Sequence, residues 1–205
     1  MTARVIVVGP RDRNRVPEGV DVVNTTSRSP DELWAQLSPF HLGPVKLWGE
    51  HVAKNVENGW QYSKVYREHT SASTMFRGDR KILLDQWLAW AEAGWSNPRA
   101  VRYPMGKGAV PQFSYWDGEE YDYAQARAKI YVPLYASCVR KTRAFKKLCK
   151  MHRDLDELYL WDFDGYDREA VGSSLIQVLT DPHRKMGHAF VLAMMLEWGS
   201  RFYLD

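Results

Sequence analysis

Short β-branched runs open the chain, and helical spacing dominates the remainder. Arg4-Val-Ile-Val-Val8 is stopped by Gly9-Pro10 and reads as a strand, and Val20-Asp-Val-Val23 reads as a second across a charged loop. Pro30-Asp-Glu-Leu33 predicts a helix start with Ser29 as N-cap and acids at the positive end of the dipole; Ser38-Pro39 ends that helix early. Helix signals resume near Gly49 and run through Glu57 to Tyr66, and Lys81 to Trp90 predicts a second helix that stops at Gly94. Asp117-Gly118 marks a turn, and Tyr123 to Leu148 is helix-forming sequence that Pro133 kinks or divides. Leu158-Tyr-Leu-Trp161 is a buried strand running into Asp162-Phe-Asp164-Gly. The last helix, Lys185 to Trp198, is apolar almost all round and belongs in the core, with His188 at its start.

Within this pattern one stretch carries polar groups on a line. Glu57, Gln61 and Lys64 stand at i, i+4 and i+7, so a helix through them places a carboxylate, an amide and an amine on one face, with Val56 and Trp60 beside it. Polar groups on a partly buried face cost free energy unless they are paired or used. Gly59, between them, weakens a helix interior unless something packs against its backbone.

Loops supply further candidates. Leu37 to Pro44 is a compact apolar loop whose prolines and glycine fix its path, leaving Ser38 and His41 as its exposed chemistry. Arg99 to Gly108 combines basic residues with glycines whose N–H groups can turn toward an anion, and Arg102 and Lys107 would supply charge-assisted bonds. Asp162 and Asp164 lie just past a strand end, where carboxylates bind ribose hydroxyls or act as acid and base. The calcium-loop pattern fails after Gly165 and no Cys/His set accompanies it, so neither a metal nor a cofactor is expected.

Composition narrows the classes. A chain of 205 residues fits one α+β domain, with no internal repeat or linker-like break. Cys138 and Cys149, the two cysteines, fall in helical sequence and do not form a secreted disulfide framework, which points to a reduced cytoplasm. The apolar run Val5 to Val8 is too brief for a signal peptide or a membrane span. A net charge of +3 from 28 basic and 25 acidic residues does not mark a polyanion-binding protein, and Arg140 to Lys147 reads as a solvated basic helix. Nine tryptophans and eleven tyrosines suit a pocket that stacks flat rings.

Taken in order, these pieces resemble the NADAR superfamily. The family pattern of a Ser-Pro-Phe loop, a Glu-His-x-x-Gln-x-x-Lys helix and a late Gly-led apolar helix is similar to Ser38-Pro39-Phe40, to Glu57-Asn58-Gly59-Trp60-Gln61-Tyr62-Ser63-Lys64, and to Met186-Gly187 followed by Ala193-Met194-Met195. Asn58 replaces the usual histidine, and the Arg102 to Gly108 loop has no counterpart in the pattern; these departures fit a divergent, phage-associated branch. The resemblance implies a mainly helical domain with a few strands, residues 35–196 forming its core and 1–34 adding strands and a loop. It also implies an N-glycosidase acting on an ADP-ribosyl or ribose-phosphate N-glycoside, through a lysine–sugar Schiff base. Lys64, Glu57 and one of Asp162 or Asp164 would carry the chemistry. Trp60, Gln61, Ser38, Phe40, His41, Arg102, Lys107 and His188 would bind substrate. The alternatives are a transferase that exchanges the glycosidic bond and a non-catalytic NAD or ADP-ribose binder. Nucleic acid enters this reading only as the carrier of an ADP-ribosyl group.

The implied chemistry contains one conflict. Burial lowers a lysine pKa, while a neighbouring Glu57 carboxylate raises it, and direct pairing of the two would leave the amine protonated and unable to attack.

Overall fold

The protein is described by a computed structural model over residues 2–71 and 81–204. In chain order, Arg4–Val8 (β1) and Val22–Asn24 (β2) precede Glu32–Ala35 (α1), and Val45–Lys46 (β3) pairs antiparallel with Val52–Ala53 (β4). Val56–Gln61 (α2) comes next, then Lys64–Val65 (β5), Leu84–Trp95 (α3), and the hairpin Phe113–Trp116 (β6) and Glu119–Tyr121 (β7). Tyr123–Ala126 (α4), a π-helical turn at Arg127–Tyr131, and Val132–Val139 (α5) form one continuous rod. Arg143–Asp154 (α6), Glu157–Trp161 (β8), Leu175–Thr180 (α7) and His188–Glu197 (α8) complete an α+β fold.

β8 is the middle strand of a three-stranded parallel sheet, with Val5 opposite Leu158, Val8 opposite Trp161, and Asn24 also opposite Trp161. Its residues Leu158, Tyr159 and Leu160 are buried, which explains why the run is apolar throughout instead of alternating: helices cover a parallel sheet on both faces. α8 packs against this sheet and against α5, and His188 through Met195 are all buried. Phe190, Leu192 and Met194 are fully enclosed, each contributing about 1.5–3 kcal/mol relative to an exposed side chain.

Several helix boundaries differ from the sequence expectation. The cap of α1 is Asp31, whose side chain accepts from the Leu33 N–H at 2.8 Å; Ser29 lies too early, outside the first turn. The long helix expected from Gly49 to Tyr66 is reduced to the six residues of α2, because Val52 and Ala53 pair as a strand and because the chain leaves the helix at Tyr62. Between Tyr123 and Leu148 the helix is distorted once and divided once. Pro133 has no N–H to return to the preceding turn, and a π-turn directly before α5 takes up the mismatch. Thr142 then caps a new helix by accepting from the Phe145 N–H at 3.0 Å. The hairpin turn falls at Asp117-Gly118 as expected, both with positive φ (49° and 88°), as its tight geometry requires.

Candidate functional site

The carboxyl ends of β2 and β8 open onto a cavity of ≈ 600 Å³, through Thr26 to Arg28 and Asp162 to Asp164. Its floor is α2, every residue of which is buried. A helix this short is held by its neighbours. Asn55 caps it by accepting from the Asn58 N–H at 2.8 Å, and the Val56 and Glu57 N–H groups donate to the carbonyls of Leu42 and Pro39. The Ser38-Pro39-Phe40 loop is thereby docked onto the start of α2, with Ser38 and Phe40 lining the cavity beside Glu57. Gly59 faces away from this site: a Cβ there would press on the Leu47 and Leu134 side chains, so the glycine admits core packing.

Asn58 has a clear task. Its amide donates to the carbonyls of Asn97 and Arg99, both at 2.9 Å, and its oxygen accepts from the Val101 N–H at 2.8 Å. Three backbone groups are thus tied to one buried side chain, which fixes the base of the loop carrying Arg102. That guanidinium pairs with Asp164 at 2.6 Å across the cavity. Gly106 and Gly108 from the same loop also line the cavity.

The three polar residues singled out by spacing are brought together by a different route. Lys64 is not on the helix; it opens β5, paired opposite Ser114, with its carbonyl accepting from the Trp87 indole. The turn through Tyr62 and Ser63 nevertheless returns its side chain to α2. The Lys64 amine donates to Gln61 Oε1 at 2.6 Å, and Gln61 Nε2 donates to Glu57 Oε1 at 2.9 Å. The amide therefore stands between the acid and the amine. The Trp60 ring, with its centroid 4.8 Å from the amine, forms one wall and itself rests on Tyr131.

Burial sets the electrostatics of this group. Removal from water brings the Lys64 amine down to about 8; Glu57 opposes the shift, and the nearby charges of Lys185 and Arg102 reinforce it. Burial also raises the Glu57 carboxyl above its ordinary range, against the Gln61 hydrogen bond and the Lys64 charge. The two pKa values are drawn toward each other, which resolves the conflict posed by the sequence: the amine is not locked in a direct ion pair. Tyr131, whose hydroxyl makes no hydrogen bond among the described residues, is held well above its usual pKa by burial and by Glu57, so it remains a phenol.

The two aspartates have different roles. Asp162 is buried and committed: it pairs with His188 at 3.0 Å and accepts from the N–H groups of Ala189 and Asp164. Burial alone would raise its carboxyl, but the His188 charge and these bonds outweigh it and hold the group at about 2. His188 also meets the Thr25 carbonyl at 2.7 Å. Asp162 therefore locks the start of α8 to the sheet while also lining the cavity beside His188. Gly187 must be glycine for this contact, since a Cβ there would collide with the Asp162 carboxylate. Asp164 is more exposed, and among the described residues its side chain pairs only with Arg102, which leaves it the more accessible aspartate of the two.

Of the expected binding residues, Ser38, Phe40, Trp60, Gln61, Arg102 and His188 line the cavity. Two do not. His41 turns outward, its Nδ1 meeting the Ala35 carbonyl at 3.2 Å, and Lys107 lies outside the lining although its glycine neighbours belong to it. The structure adds Arg28, Tyr66, Arg127, Tyr131 and Lys185, which sequence reasoning missed. Lys185 directly precedes the Met186-Gly187 step and was the one readable from position; nothing local in the sequence marks Arg28 or Tyr131. Among the described residues no cluster of His, Cys, Asp or Glu has the makings of a metal site, and no helix is long and apolar enough to cross a membrane. No protein-family model matches the chain, and no curated protein or solved structure is significantly similar to it.

Proposed function

We propose that the protein processes an N-glycoside of ribose, of the ADP-ribosyl or ribose-phosphate class, as its resemblance to the NADAR superfamily implies. The observation that carries this reading is the Glu57–Gln61–Lys64 relay on the cavity floor, with an amine near pKa 8 and a carboxyl raised by burial. At pH 7 about a tenth of such an amine is neutral and nucleophilic, against well under a hundredth for an ordinary lysine. Arg28, Arg102 and Lys185 around the cavity suit the phosphate of such a substrate, and the Trp60 and Tyr131 rings suit its base.

The reaction begins at the amine. Lys64 attacks C1 of the sugar as the C1–N bond to the base breaks; the bonding pair leaves with the base, which takes a proton from the acid form of Glu57. The carboxylate so formed removes a proton from the new lysine–sugar adduct. The nitrogen lone pair then opens the ring to an iminium ion while Glu57 gives that proton to the ring oxygen, and the carboxylate takes one back from the incoming water. Water adds at C1 and expels the lysine, giving free sugar, free base and the starting enzyme. Gln61 does not titrate; in the resting site it holds the acid and the amine at a fixed separation. An amine in place of water would make the same intermediate a transferase step.

The test is a mass-spectrometric screen over NAD metabolites, ribose-phosphate N-glycosides and ADP-ribosylated bases. Release of free base by the wild-type protein, lost in both Glu57→Gln and Lys64→Met, is expected. Binding of these compounds with none consumed would replace the enzyme reading with that of a nucleotide-binding protein.

A further inference from the structure

A second depression is lined by residues separate from those of the cavity. Arg140, Lys141, Lys146, Arg153 and Arg201 line a groove of ≈ 550 Å³, together with Ser200, Phe145 and Cys149. Among the described residues no acidic side chain lines it and none of these five cations forms an ion pair; Arg140 Nε is buried there without a hydrogen-bond partner.

The groove continues along α6. Arg143, Lys146, Lys150 and Arg153 are exposed and stand at i, i+3, i+7 and i+10, so they form one stripe on the outer face, while Phe145 and Leu148 turn into the core. Asp154, at the last position, is the helix's single acid. Ten residues of helix span about 15 Å. One strand of a nucleic-acid duplex presents a phosphate about every 3.4 Å of axis, so this stripe faces roughly four of them. Four like charges held in line repel one another, and among the described residues none of the four forms an ion pair.

The position separates this surface from the cavity. α5 begins next to Tyr131, in the cavity wall, and ends next to Arg140; α8 begins at His188, in the same wall, and ends close before Ser200 and Arg201. The groove therefore sits at the opposite end of the α5–α8 pair, and the length of α5 puts it on the order of 12 Å away. None of its cations lines the cavity.

We propose that α6 and the groove beside it bind the phosphodiester backbone of a nucleic acid, independently of the chemistry in the cavity. The contact reads charge and spacing, not base sequence. The test is fluorescence anisotropy with a short labelled DNA duplex over a salt series, comparing the wild-type protein, the double variant Lys146→Gln with Arg153→Gln, and the cavity variant Arg102→Gln. Circular dichroism would first establish that each is folded. The wild-type and Arg102→Gln proteins are expected to bind alike at low salt. The double variant should lose affinity on the order of tenfold, and its slope of log K against log salt should fall by about 1.8, at about 0.9 per phosphate contact removed. The proposal is overturned by absence of duplex binding at low salt, by an unchanged slope in the double variant, or by equal loss in Arg102→Gln. Equal or tighter binding to phosphatidylserine vesicles or polyglutamate would also overturn it, by reassigning the surface to a membrane or an acidic protein.

Discussion

Replacing Lys64 by methionine should stabilise the protein while abolishing its chemistry. The methionine keeps the apolar stem against Trp60 and stands in for the neutral amine. In the folded protein the amine is held at about 8, against 10.5 when unburied. A drop of that size, at about 1.36 kcal/mol per pKa unit, means that keeping Lys64 charged costs the native state about 3 kcal/mol. Loss of the Gln61 contact offsets part of this, leaving a gain of about 2 kcal/mol, or about 4–8 °C in Tm for a chain of this length. The sign has a further consequence. Because the folded pKa is depressed, the unfolded chain holds its proton up to 10.5 while the native protein releases it near 8, so wild-type stability recovers as pH rises between these values. The advantage of Lys64→Met should therefore be full at about pH 7 and small by about pH 10. Paired urea titrations at both pH values measure it; a variant less stable at neutral pH, or a difference independent of pH, would refute the assignment of a strained, partly neutral amine.

Other substitutions probe the supports of the site. Asn58→Ala strips three backbone groups of their partner and should cost about 2–3 kcal/mol in urea unfolding, with faster proteolysis in the Arg99 to Gly108 segment; unchanged cleavage there would dissociate Asn58 from the loop. Asp162→Asn breaks a buried pair and should destabilise by about 3–5 kcal/mol at neutral pH. Asp162 is depressed from 3.8 to about 2, so the stability it confers is present above 3.8 and lost as pH falls through 2; an acid titration in which variant and wild type stay equally far apart down to pH 2 would contradict this. Tyr131→Phe should leave stability within about 1 kcal/mol of wild type while lowering turnover of any substrate whose leaving group or sugar meets the free hydroxyl; intact turnover would remove Tyr131 from the site.

How far the sequence was legible depended on the range of each interaction. Glu57, Gln61 and Lys64 could be paired because they are close along the chain, yet the geometry invoked for them was wrong in its last step. An i+7 spacing was read as three positions of one helix, whereas strand pairing of Lys64 and Val65 with β6 ends α2 at Gln61 and a turn restores the contact. The strand-end rule placed Asp162 and Asp164 at a cleft, but not the difference between them, which arises from His188 and Arg102, residues distant in sequence. Arg28, Tyr131 and Lys185 reach the cavity only through the tertiary fold, and no local periodicity announces that. The same limit applied to the basic run from Arg140 to Lys147, which reads as a solvated helix until Arg153 and Arg201 complete a groove with it.

The most direct test of the central claim is borohydride trapping of the wild-type protein with ADP-ribose, and separately with ribose 5-phosphate, followed by peptide mass mapping. A reduced sugar adduct on Lys64, absent in Lys64→Met and increasing as pH rises from about 7 toward about 8.5, is the expected result. An adduct spread over surface lysines, or none on Lys64 at any pH, would contradict a nucleophilic lysine at the floor of this cavity.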